Sequence, residues 1–73
     1  MTMDYSALLT NDQKKSILEQ RIAQFASEAY QHTLNKTVAG DNAEAVAAAN
    51  QALAILENAI AVHQDELAKL PVE

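Results

Sequence analysis

Residues 43–62 read AEAVAAANQALAILENAIAV. Apart from Glu44, Asn50, Gln51, Glu57 and Asn58, every position holds alanine or a branched aliphatic residue. Alanine is the strongest helix former, and no glycine or proline interrupts the run, so the stretch reads as helix. Followed on to Leu70, its apolar positions fall into two stripes. Val46, Ala49, Leu53, Leu56, Ile60, His63, Leu67 and Leu70 alternate spacings of three and four, a heptad seam with one polar intruder, His63. Beside it lies a second row: Ala45, Ala48, Ala52, Ile55, Ala59 and Val62. Ala47, Ala54, Ala61 and Ala68 widen the apolar surface. Only Asn50, Gln51, Glu57, Asn58, Gln64 and Asp65 form a wet strip.

Upstream, Thr10, Asn11, Asp12 and Gln13 match a capping box, with Thr10 as N-cap and Gln13 reaching back from N3. Asp12 in the first turn suits the helix dipole. Leu18, Ile22, Phe25, Ala26, Ala29 and Tyr30, then Thr33 and Thr37, share one face at about 100° per residue. Ile17 and Val38 point the other way, and Leu34 lies at the margin. Gly40 ends this helix as a C′ residue. Asp41 with Glu44 three residues later signals the next helix start, and Pro71 stops that helix just after Lys69.

The expected fold is therefore all-α, a single domain over 1–73. An N-terminal arm (1–10) precedes helix 1 (11–39) and helix 2 (42–70). Each helix is roughly 42 Å long at 1.5 Å per residue, and the short turn makes them an antiparallel hairpin. Its core is Leu18, Ile22, Phe25 and Ala29 against Val46, Leu53, Leu56, Ile60 and Leu67. In the arm, Met3, Tyr5, Leu8 and Leu9 are apolar, and a short helical turn should fold back towards Ile17 or onto a neighbouring chain.

One partner helix can cover one stripe of helix 2, not two. The row Ala45, Ala48, Ala52, Ile55, Ala59 and Val62 is therefore the expected oligomer interface, and a homo-oligomeric helical bundle, dimer or higher, the expected assembly. Alanine placed there for propensity alone is the plainer reading, but Ile55 and Val62 are not needed for propensity. His63 is expected to set register in the seam, and its titration to make assembly sensitive to mild acid.

With 73 residues and no cysteine, the chain has no disulfide to support a small core. At 49% apolar content it is not of the disordered class. Ten acidic residues against five basic ones repel phosphate backbones, so nucleic acid is not an expected partner. The N-terminus lacks the pattern of a signal peptide. Glu57 and the amides within the Ala-rich stretch argue against a membrane span, which leaves the cytoplasm as the expected location.

No catalytic residue is expected. Ser6, Ser16 and Ser27 sit in no nucleophile motif, and there is no glycine-rich phosphate loop. No cofactor is expected either, and no metal: Glu28 with His32, and His63 with Glu66, depart in order or spacing from the Glu-x-x-His pattern of di-iron bundles. A ligand-binding set remains, Arg21, Tyr30, His32 and Lys36, in which a base could stack on tyrosine and a phosphate meet the cations. The competing role for Tyr30 is packing at the core edge.

The run LTNDQKKSILEQRIAQFASEAYQHTLNK, residues 9–36, resembles small helical proteins encoded by double-stranded DNA phages and prophages. The resemblance implies an accessory or structural role in a phage, with no active residues to carry over. The phage anti-CBASS sponges offer a fold-level analogy alone. They too are small and helical, and they hold cyclic nucleotides between subunits. The expected function is thus a non-enzymatic, homo-oligomeric helical binding protein, a phage-type accessory protein engaging a host or viral protein. The alternative is a sponge for a small nucleotide signal, using Arg21, Tyr30 and Lys36 between subunits. A virion structural or assembly component is third.

Overall fold

The computed structural model describes residues 4–71. A short 3-10 turn, η1 (Tyr5–Leu8), precedes two helices, α1 (Asn11–Ala39) and α2 (Ala43–Ala68), which pack against each other as an all-α hairpin.

Local side-chain chemistry fixes the ends. Thr10 Oγ1 accepts from the Gln13 amide at 3.1 Å, and Gln13 Oε1 accepts from the Thr10 amide at 2.9 Å. This reciprocal pair satisfies two of the orphan donors at the start of α1. At the far end Gly40 takes φ 57° and ψ −113°, and its amide reaches Lys36 O at 3.3 Å. The chain then turns through Asp41, with the Asn42 amide on Ala39 O at 3.0 Å. The cap of α2 is Asn42, not Asp41: Asn42 Oδ1 accepts from the Ala45 amide at 3.1 Å. Asn and Asp cap almost equally well, so turn geometry chose between neighbours. α2 ends at Ala68 rather than Leu70. Lys69 is the C-cap, its side chain 3.0 Å from Asp65 Oδ2 and 3.5 Å from Glu66 Oε1.

In α2 the half-buried or buried positions include Val46, Ala49, Leu53, Leu56, Ile60, His63 and Leu67, the heptad seam, and Leu70 just past the helix end continues it. In α1 they are Leu18, Ile22, Phe25, Ala29, His32, Lys36 and Ala39, with Asn11 and Lys14 nearer the start. The first half of α1 thus follows its apolar pattern. The second half does not: Ala26, Tyr30, Thr33 and Thr37 are exposed, and His32 and Lys36 take the seam. A straight 3.6-residue helix drifts by about 20° per heptad from the 3.5 repeat that keeps two coiled helices in contact. Beyond Phe25 the large apolar side chains of α1, Tyr30, Leu34 and Val38, are all exposed and mark no seam.

The core is thin. Among the described residues Ala49 alone is buried, and no large side chain is fully enclosed. Ala49 lies in the half near the turn, where Ala29 and Ala39 line the facing seam and small side chains let helices approach closely. The hairpin measures 49 × 30 × 14 Å, with a radius of gyration of 16.3 Å against about 11 Å for a compact domain of this length. Its thin dimension is that of one helical layer, whereas stable domains enclose a core between two.

Candidate interaction surface

The two helices join side chains from opposite ends of the sequence into a cluster within the hairpin. Arg21 Nε donates to His63 Nε2 at 2.9 Å, and His63 Nδ1 lies 2.6 Å from Ala59 O. The Phe25 ring meets the His63 ring edge-on, with centroids 5.0 Å apart, and the Arg21 guanidinium lies 5.4 Å from the Phe25 centroid. Both imidazole nitrogens have a hydrogen-bond partner, and the Phe25 ring packs against the half-buried imidazole. The polar intruder in the α2 seam is therefore satisfied by its own chain, and Arg21 acts as its partner. Antiparallel topology and the Arg21 position could not be paired from periodicity alone, so this contact escaped the sequence reading.

Of the proposed ligand-binding set, the structure puts only His32 and Lys36, one turn apart, on a common face, and leaves Arg21 and Tyr30 away from them. Arg21 is committed to His63 and Phe25. His32 and Lys36 sit half-buried in the seam, about 16 and 22 Å further along α1 at 1.5 Å per residue. Tyr30 is exposed and stands nine residues from Arg21, about 180° round the helix at 100° per residue. A pocket using all four would have to draw on more than one chain. Among the described residues no three His, Asp or Glu side chains gather as a metal site would need.

The row along α2 lies open. Ile55 is 67% exposed and Val62 51%; Ala45 and Ala48 are also exposed, while Ala52 and Ala59 are half-buried at the edge of the seam. No charged residue occurs in this row between Ala45 and Val62. One heptad further on the same positions become Glu66 and Lys69, which border a cleft of about 490 Å³ at the open end of the hairpin. Lys14 and Ile17 of α1 line the same cleft, as does Leu9 from the segment after η1. Leu9 is half-buried there, whereas Tyr5 and Leu8, expected to dock with it, are exposed. Met3 lies outside the described residues.

The area is large for the mass. A folded monomer of 7.9 kDa exposes about 4,400 Å², whereas this chain exposes 5738 Å², about 1,300 Å² more. The surplus follows from the single layer of helices and from side chains such as Ile55, Val62 and Val38 that nothing covers. By length and composition alone α2 is also apolar enough to cross a membrane. Asn50, Gln51, Glu57 and Asn58 in its middle, and the charged helix α1 packed along it, would then lie in hydrocarbon, where such groups are costly.

Comparison with protein-family models, with characterised proteins and with solved structures finds no match to this chain.

Proposed function

We propose that this chain is a non-enzymatic helical binding protein that works as a homo-oligomer, a phage-type accessory protein engaging a host or viral protein through its helical faces. The observation that carries the reading is the uncovered row on α2, with Ile55 and Val62 more than half exposed on a hairpin one layer thick. A 73-residue chain with so thin a core has little to set against the entropy of ordering two long helices. A second chain on this face supplies the missing layer. The phage assignment rests on the resemblance carried by residues 9–36 and gives the kind of partner to look for.

Light scattering tests the assembly. The wild-type chain runs at a multiple of 7.9 kDa, and Ile55→Glu, or joint change of Ala52, Ile55 and Ala59 to glutamate, dissociates or unfolds it. A well-folded wild-type monomer at high concentration overturns the proposal. The binding role is tested by capture from phage-infected host cells. One protein is retained at fixed stoichiometry, and is absent from capture on the Ile55→Glu chain.

A further inference from the structure

The contacts that hold the hairpin closed are concentrated in the half away from the turn. There Leu18, Ile22 and Phe25 are the half-buried positions of α1, and Leu56, Ile60 and Leu67 those of α2. Among the described residues, the Arg21–His63 bond is the only side-chain hydrogen bond that crosses from one helix to the other, and it lies in this half too. The turn half is built differently. Its seam positions on α1 are Ala29, His32, Lys36 and Ala39, none of which brings a large apolar side chain. Those facing them on α2 are Val46, Ala49 and Leu53. Ala49 is buried, but a methyl group removes little area from water, and area sets hydrophobic stabilisation. His32 and Lys36 have no hydrogen bond or ion pair among the described residues, so neither side chain ties α1 to α2.

Late α1 is also the weaker of the two helices. His32, Thr33, Asn35, Thr37 and Val38 are poor helix formers, whereas the first half of α2 is mostly alanine. The Thr33 hydroxyl donates to Ala29 O at 3.0 Å, and the Thr37 hydroxyl to Thr33 O at 3.2 Å. Such bonds back to the preceding turn slightly weaken the helix that makes them.

We infer that the hairpin opens locally at its turn: α1 from Ala29 to Ala39 lets go of α2 and unfolds, while the half held by Phe25, Ile60 and the Arg21–His63 bond stays closed. Local opening follows the regions with few buried apolar contacts, and here those lie on one side of Phe25. α2 keeps its helix as an extension of the closed half. At up to about 3.3 Å per residue, the freed segment reaches along α2 without straining the turn. Each opening uncovers the seam of α2 around Ala49, so late α1 is the part of the chain that rearranges without loss of the fold.

Amide hydrogen exchange of the full chain, resolved by NMR, reads the two halves side by side. The amides of His32 to Asn35 lie a full turn inside the end of α1, beyond ordinary end fraying. Corrected for intrinsic rates, they exchange at least about tenfold faster than those of Ile22 to Phe25. Their exchange also responds less to low concentrations of urea, because a local opening exposes little surface. Changing His32 and Lys36 together to leucine supplies the missing apolar contact and brings these amides up to the protection of Ile22 to Phe25. Equal protection along α1 in the wild-type chain overturns the inference. Fast exchange that persists in the double leucine variant overturns it too, because the polar seam is then not the cause.

Discussion

Arg21 and His63, 42 positions apart in sequence, share a hydrogen bond of 2.9 Å across the hairpin. An arginine Nε always carries its proton, so His63 Nε2 accepts. The ring proton is then on Nδ1, where Ala59 O accepts it at 2.6 Å. One neutral tautomer satisfies both contacts: the bond to Ala59 O holds the ring on α2, and the bond from Arg21 ties α1 to it.

The tautomer is measurable. Long-range 1H–15N correlation at pH 8 should show His63 protonated on Nδ1 and bare on Nε2. A ring protonated on Nε2 would contradict the Arg21 contact. Arg21→Ala removes the donor and lowers unfolding free energy by about 0.5–1.5 kcal/mol, the net worth of a typical hydrogen bond, read from urea denaturation.

The turn makes a sharper test, because neighbouring residues are assigned different work. Asn42→Ala removes the cap of α2 and costs about 1 kcal/mol. Asp41→Ala, one position earlier, changes stability by no more than about 0.5 kcal/mol. Equal losses at both sites would show that the cap is misassigned. Gly40 has open space where a Cβ would lie, but its φ of 57° disfavours any side chain. Gly40→Ala therefore destabilises by about 1–2 kcal/mol through backbone strain. With ψ at −113°, outside the left-handed helical region that asparagine tolerates, Gly40→Asn does not rescue.

Lys69 gives a pH dependence of defined sign. Its hydrogen bond to the Asp65 carboxylate, then the charge of Asp65 and that of Glu66, hold its ammonium above the ordinary value of 10.5. A raised pKa means that the contribution of this pair to the end of α2 is complete below 10.5 and lost as pH rises through the elevated value. NMR titration of the Lys69 Cε should give a midpoint above 10.5, and Asp65→Asn should lower it more than Glu66→Gln. An unchanged midpoint in Asp65→Asn would rule the pairing out.

Much of the hairpin was legible without coordinates. Thr10 and Gln13 act within three residues of each other, so the capping box at the start of α1 is written locally. The seam of α2 was equally readable, because leucine and isoleucine recur through nearly three heptads. The row beside it was readable as a surface that one partner helix leaves open. The second half of α1 was not legible: Tyr30 looked apolar enough to join the core, yet His32 and Lys36 face α2 and Tyr30 does not. The ligand set built on Arg21, Tyr30, His32 and Lys36 was chosen by residue type, and type carries no information about azimuth.

By itself the sequence determined which segments are helical, nearly where they begin and end, and which stripe of α2 is covered. Those properties come from propensity, capping and periodicity, which operate over one to three turns. Tertiary structure decided the choice of Asn42 over Asp41, the face that late α1 turns inward, and the meeting of Arg21 with His63. Each depends on how one helix is rotated and slid against the other. That rotation minimises the energy of the whole contact, and no local stretch of α1 encodes it.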